Sequence, residues 1–68
     1  MHLPSGWGMI EYRLYFLDRG SGDIEHRHDF TAADDGEARR IATAWRNGNP
    51  MELWHKDRKV SRWEATAS

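Results

Sequence analysis

The chain has no cysteine and only two prolines among its 68 residues. Without cysteine, neither a disulfide nor a thiolate metal site can hold the fold together. A domain of this length buries only about 60% of the surface that its unfolded chain exposes, so its stability is marginal. Small domains without such links often gain stability by association. The missing cysteines therefore favour an oligomer, and they are compatible with a reducing compartment, so we predict a cytoplasmic protein.

The chain also lacks an excess of either charge, since ten Lys and Arg residues stand against eleven Asp and Glu residues. A general nucleic-acid-binding domain usually carries a clear basic excess. No apolar run approaches the roughly 20 residues of a membrane span, and no N-terminal signal segment is recognisable. We therefore expect neither a membrane nor nucleic acid to be the main partner.

The remaining pattern predicts four strands and one helix. Residues 10–17 are rich in Tyr, Leu, Phe and Ile, and polar turn clusters separate the later strand-like runs. Asp34 followed by Glu37 is typical of a helix start, and residues 47–50 (Asn-Gly-Asn-Pro) end the helix. Its buried stripe is predicted to be Ala38, Ile41, Ala42 and Trp45. The predicted strands span residues 10–17, 24–30, 51–55 and 59–64.

This order of elements predicts an α+β fold. It is a ββαββ two-layer domain with a four-stranded, mainly antiparallel sheet and one helix on one face. Residues 1–8 are predicted to be a flexible N-terminal extension, residues 9–64 the single domain and residues 65–68 a frayed tail. Alternation alone fixes neither the strand order nor the register of the second strand, where a one-residue slip would exchange its two faces.

The first strand is apolar on both sides, although one helix covers only one face of a sheet. On the second face we expect the aromatic and apolar residues Tyr15, Leu17, Trp54 and Trp63. Tyr and Trp are enriched at the centres of interfaces. The sequence therefore predicts a small protein-interaction module. We expect it to form a homodimer through this face or through an edge strand, and a different protein is a further possible partner. A bulged strand or the N-terminal segment with Trp7 is the alternative cover.

Basic residues cluster in the helix and the second hairpin, which leaves open an alternative function as a small nucleic-acid-binding regulator. A stripe of Lys and Arg beside Trp side chains suits a phosphate backbone and its bases. The residues of this alternative are Arg39, Arg40, Arg46, Arg58, Lys59 and Arg62. Nearby acidic residues give the contrasting interpretation, a solvated surface of mixed charge.

No pattern in the chain indicates catalysis or a cofactor. His26 and His28 would lie on one side of a strand, a spacing that suits two ligands of one metal ion. Such a pair is common by chance in polar strands, so we predict no metal site and keep the two histidines as candidates. The serines lack a nucleophile-elbow setting, and no glycine-rich phosphate loop is present. We therefore predict that the protein is not an enzyme.

Three blocks of the chain resemble a family of short, uncharacterised bacterial proteins. The first is the Tyr-Arg-Leu-Tyr-Phe-Leu-Asp strand ending at Asp18, and the second is the Asp-Asp-x-Glu-Ala helix start at Asp34. The third is the Glu-Leu-Trp strand beginning at Glu52, and the basic segment 58–62 also fits. The resemblance covers about residues 9–63. It implies a small stand-alone domain that begins near Met9, and it implies no chemistry.

Overall fold

A computed structural model of the chain describes residues 9–66. It contains strand β1 (Ile10–Leu17), strand β2 (Ile24–Ala32), helix α1 (Asp35–Ala44), strand β3 (Met51–His55) and strand β4 (Arg58–Trp63). The strands form one antiparallel sheet in the order β2-β1-β3-β4. The predicted α+β class and the ββαββ order are confirmed. The predicted N-terminal extension, residues 1–8, lies outside the described residues.

Helix α1 begins where the sequence places its cap. The Asp34 carboxylate accepts a hydrogen bond of 2.8 Å from the Glu37 backbone N–H, and the Glu37 carboxylate accepts one of 2.7 Å from the Ala33 N–H. These reciprocal bonds satisfy backbone donors that the helix itself leaves unpaired. After the helix, Gly48 adopts a φ of +94°, a left-handed conformation that favours glycine. The chain thereby turns back towards β3.

The hydrophobic core lies between α1 and one face of the sheet. Ala38 and Ala42 are fully buried, and their small side chains let the helix lie close to the strands. Beneath them are the inward residues of β1 and β3, with Ala32 from β2. The buried core consists of Tyr12, Leu14, Phe16, Ala32, Ala38, Ala42, Met51 and Leu53.

Two bulges change which residues share a face. In β2, His26 pairs with Phe16 but Ile24 pairs with Leu17, so Glu25 is an extra residue. In β4, Ser61 pairs with Leu53 but Lys59 pairs with Trp54, which leaves Val60 as an extra residue. Directly paired residues in antiparallel strands point to the same face. His26 and His28 therefore lie on the helix side, whereas Ile24, which a regular strand would place with them, joins the face of Leu17.

Two tryptophans are placed differently from the prediction. Trp63 was expected on the face away from the helix, but it pairs with Met51 and packs against the core on the helix side. The Val60 bulge is the reason, because it shifts the alternation of β4 by one residue. Trp45 was expected in the buried helical stripe, but it caps the helix C-terminus and is 47% exposed.

Thr66, in the tail that is predicted to fray, makes two hydrogen bonds through its backbone. Its backbone N–H donates a 3.1 Å hydrogen bond to the Gly48 carbonyl, and its own carbonyl accepts one of 3.0 Å from Arg19. The tail is therefore tied to the loop after α1 and to the β1–β2 turn. Residues 67 and 68 lie outside the described part of the chain.

Removing the helix cap should destabilise the fold measurably. Asp34→Ala leaves the Glu37 N–H without its side-chain acceptor, and we expect a loss of about 1 kcal/mol in unfolding free energy. Urea unfolding measures it, with Asp57→Ala in the exposed β3–β4 turn as the matched control. Equal losses in the two variants would contradict the capping role.

Candidate interaction surfaces

The sheet face away from α1, called here the open face, is formed by residues that the pairing register places together. Tyr15 pairs with Arg27 and Glu52, and Trp54 pairs with Arg13 and Lys59. Within residues 9–66 the only helix packs on the opposite side. The open face comprises Glu11, Arg13, Tyr15, Leu17, Ile24, Arg27, Asp29, Thr31, Glu52, Trp54, Lys59 and Arg62.

Glu52 is the centre of a charged network on the open face. Its carboxylate accepts a hydrogen bond of 3.0 Å from the Trp54 indole N–H and one from Arg62, and it lies 3.5 Å from the Lys59 ammonium. Arg62 also contacts Glu64 at 2.8 Å. Burial would raise the pKa of Glu52, but the Trp54 hydrogen bond and the nearby cations together hold that pKa below its usual value.

A second ion pair lies on the part of the open face that β1 and β2 form. The Arg13 guanidinium donates a 2.9 Å hydrogen bond to Asp29, which lowers the pKa of that carboxyl group. Exposed pairs of this kind contribute little to stability. A shallow cavity of about 440 Å³ lies beside them, lined on this side by Glu11, Arg13, Tyr15, Asp29, Thr31 and Lys56. Its acids and bases balance, so it favours no ligand of a single charge.

The predicted aromatic patch on the open face is therefore smaller than expected. Tyr15 and Trp54 are half-buried among charged side chains, and the Lys59 ammonium lies 5.7 Å from the centre of the Trp54 ring. Leu17 is only 7% exposed. With Trp63 on the other side of the sheet, the face is an amphipathic surface whose polar groups bond to one another.

Two of the exposed large apolar side chains belong to the edge strand β2 or contact it, one on each face of the sheet. Among the described residues, the exposed large apolar side chains are Ile24 at 59% exposure, Trp45 at 47% and Met9 at 40%. Ile24 belongs to β2, and the Trp45 ring lies 4.2 Å from the ring of His28 in the same strand. In the described sheet β2 has a neighbouring strand on one side only. The sequence did not reveal this placement because it did not give the strand order.

The basic residues of the nucleic-acid alternative do not form one surface. Lys59 and Arg62 belong to the open face, whereas Arg39 and Arg40 are exposed on the helix at the opposite side of the sheet. Arg58 contacts Asp35, and Arg46 donates a 2.7 Å hydrogen bond to the Glu64 carbonyl. The fold thus distributes the basic residues of the helix and the second hairpin over separate surfaces.

One polar link ties the helix to both halves of the sheet. The Tyr12 hydroxyl donates a 2.6 Å hydrogen bond to Asp35, and Arg58 contacts the same carboxylate at 3.3 Å. Burial, reinforced by the bond to Asp35, raises the pKa of Tyr12 to about 12. The hydrogen bond from Tyr12 and then the one from Arg58 hold the pKa of Asp35 below its usual value. These groups are arranged to stabilise one another.

The histidines contact aromatic rings. The His26 ring centre lies 5.7 Å from that of Phe16, and His28 lies between Phe30 and Trp45. The His55 ring centre lies 5.7 Å from that of Tyr12, and the His55 Nδ1 lies 2.8 Å from the Glu11 carbonyl oxygen. Among residues 9–66, no three His, Cys, Asp or Glu side chains come together as a metal site would require. The metal hypothesis for His26 and His28 therefore gains no support from their surroundings.

Comparisons with protein-family models, with curated proteins and with solved structures gave no match to this chain. The resemblance to the bacterial family stays a prediction. Helix α1 has ten residues, and no helix in the described part of the chain is long and apolar enough to cross a membrane. The chain's own surfaces are therefore the basis for proposing a function.

The Tyr12 link predicts a loss of stability in alkali. The pKa is 10.0 for a free tyrosine and about 12 in the fold, so the unfolded chain loses this proton first as the pH rises. The contribution of Tyr12 is complete below pH 10 and declines between about pH 10 and 12. Urea unfolding across this range should show the stability advantage of the parent over Tyr12→Phe shrinking. A constant difference would contradict the link.

Proposed function

We propose that this chain is a small, non-enzymatic protein-interaction module that forms a homodimer. The observation that carries the proposal is the exposed apolar surface of Ile24, which begins the edge strand β2, and of Trp45, whose ring packs on His28 of the same strand. An edge strand offers unpaired backbone N–H and C=O groups to a second strand. A small core without disulfides favours stabilisation by association. The lack of cysteine also supports a cytoplasmic location.

Of the two predicted routes to a dimer, the β2 edge has more support than the open face. On the open face, Glu52 and its cations already satisfy one another, and burying them would cost desolvation energy. The β2 edge instead adds backbone hydrogen bonds and covers apolar side chains. Tyr15, Leu17, Trp54 and the aromatic open face remain available to a different protein.

The expected association is weak. Fully burying a large apolar side chain contributes about 1.5–3 kcal/mol, and Ile24 and Trp45 are partly buried already. Two copies contribute four such side chains, while association costs an estimated 4–15 kcal/mol. The dimer should therefore dissociate on dilution.

Light scattering across a concentration series tests the proposal. The parent should approach twice the mass of one chain at high concentration and fall towards one chain on dilution. Trp45→Ala should shift this transition to higher concentration, because it removes apolar surface beside β2. Trp54→Ala, a tryptophan on the open face, is the matched control and should leave the transition unchanged.

Two results would contradict the proposal in different ways. A monomer at every concentration would refute self-association. A dimer that Trp54→Ala or Tyr15→Ala weakens, and Trp45→Ala does not, would move the interface to the open face.

A nucleic-acid-binding regulator is the second candidate, and the exposed side chains of Arg39 and Arg40 on α1 are the observation that favours it. Because the other basic residues are divided between two surfaces, we expect no measurable binding. Fluorescence anisotropy with mixed single- and double-stranded oligonucleotides at low salt provides the test, since electrostatic binding is strongest there. Salt-sensitive binding that Arg39→Ala/Arg40→Ala abolishes, and Arg27→Ala retains, would establish this alternative instead.

A further inference from the structure

Resting on the proposed homodimer, we infer that two copies join antiparallel through β2 about a two-fold axis at His28. The axis stands perpendicular to the sheet. In this arrangement His28 faces His28 of the second copy, Arg27 faces Asp29, and His26 faces Phe30. The seam uses the regular part of β2 that follows the bulge at Glu25.

The symmetry restricts the choice of register. A two-fold axis perpendicular to the sheet keeps each residue on its own face, so the axis must pass through a residue position, where that residue meets its own copy. An axis at Arg27 would set two guanidinium groups against each other, and one at Asp29 would do the same with two carboxylates. Like charges directly opposite one another destabilise a strand pair, whereas opposite charges stabilise it.

An axis at His28 instead places Arg27 of each copy opposite Asp29 of the other, so that opposite charges meet. Arg27 and Asp29 lie on either side of His28 and point to the open face. Each Arg27 then meets Asp29 of the second copy, which gives two ion pairs related by symmetry. An axis at Phe30 would avoid repulsion, but it sets Asp29 against Thr31 and forms no ion pair. An axis at His26 would set Glu25 against Arg27, but Glu25 is the extra residue of the bulge, where the regular pairing of β2 is interrupted.

On the helix side of the sheet, the same seam would cover the exposed side chain of Trp45. The Trp45 ring lies on His28, with ring centres 4.2 Å apart. Two such stacks would flank the axis, so each Trp45 would lose solvent exposure to the other copy. One register therefore pairs the charges on the open face and covers the aromatic surface on the helix side.

The other sheet edge offers a contrast. Strand β4 presents Arg58, Lys59 and Arg62, and the Val60 bulge interrupts its six residues. Pairing β4 with its own copy would bring basic side chains together across a distorted ladder. Charges of one sign and bulges are the features by which natural edge strands avoid pairing. The two edges thus favour β2 as the seam.

The absence of cysteine makes the register directly testable by single-cysteine cross-linking. Opposed residues in antiparallel strands have Cα atoms about 4.5–5.5 Å apart, within the range that a disulfide spans. His28→Cys should therefore form a covalent dimer under mild oxidation. Arg27→Cys is the matched control, because diagonal neighbours lie about 7–8 Å apart and bridge poorly. Tyr15→Cys reports on contact through the open face.

A charge-exchange pair tests the same register without a covalent bond. Arg27→Asp alone places two carboxylates against each other at each end of the seam, and Asp29→Arg alone places two guanidinium groups there. Each variant should be monomeric by light scattering at concentrations where the parent is a dimer. An equimolar mixture should recover a heterodimer, because both cross-pairs then join opposite charges. Circular dichroism and thermal unfolding verify that each variant is folded.

The outcomes separate the register from the dimer itself. Rapid cross-linking at residue 28 together with heterodimer recovery supports the inference. If the parent is dimeric but the cysteine variants at residue 15 or 27 cross-link in preference to the one at residue 28, the register is wrong and self-association still holds. The same conclusion follows if the two charge variants form no heterodimer on mixing. A parent that is monomeric throughout overturns both.

Discussion

The close contact of helix α1 with the sheet, through Ala38 and Ala42, is the constraint on which the rest of the structure depends. One ten-residue helix must cover the core of a four-stranded sheet, and its small buried side chains let its backbone lie close to the strands. The cap at Asp34 and the link from Asp35 to Tyr12 fix where the helix starts and how it is oriented. Within the described residues no helix remains for the other face.

Local sequence patterns predicted the elements well because each of them has a local physical signature. The β1 and β3 boundaries followed from β-forming side chains, and the helix start followed from Asp34 and Glu37. The bulges at Glu25 and Val60 have no such signature, since they arise only when two strands are paired. That is why the sequence predicts the wrong face for Trp63, although every strand is found.

The candidate surfaces were less predictable than the fold, because they depend on contacts between distant segments. Glu52 is 10 residues from Arg62, and Arg13 is 16 residues from Asp29. These ion pairs convert an apparently aromatic face into a largely polar one. The exposed edge is likewise a consequence of the order β2-β1-β3-β4, which puts the polar second strand on the outside. The polar character of both faces of the second strand is typical of an edge strand, but periodicity does not give the full strand order.

The basic, bulged β4 strand would determine the size of any assembly built on β2. Two copies joined there would form a sheet of eight strands, and both of its outer margins would be β4. Neither margin is a good template for a further strand, so growth would stop at two chains. The same arrangement would keep both helices on one side and merge the two open faces into a single continuous platform. A molecule of this kind is protected against fibre formation by the asymmetry between its own two edges.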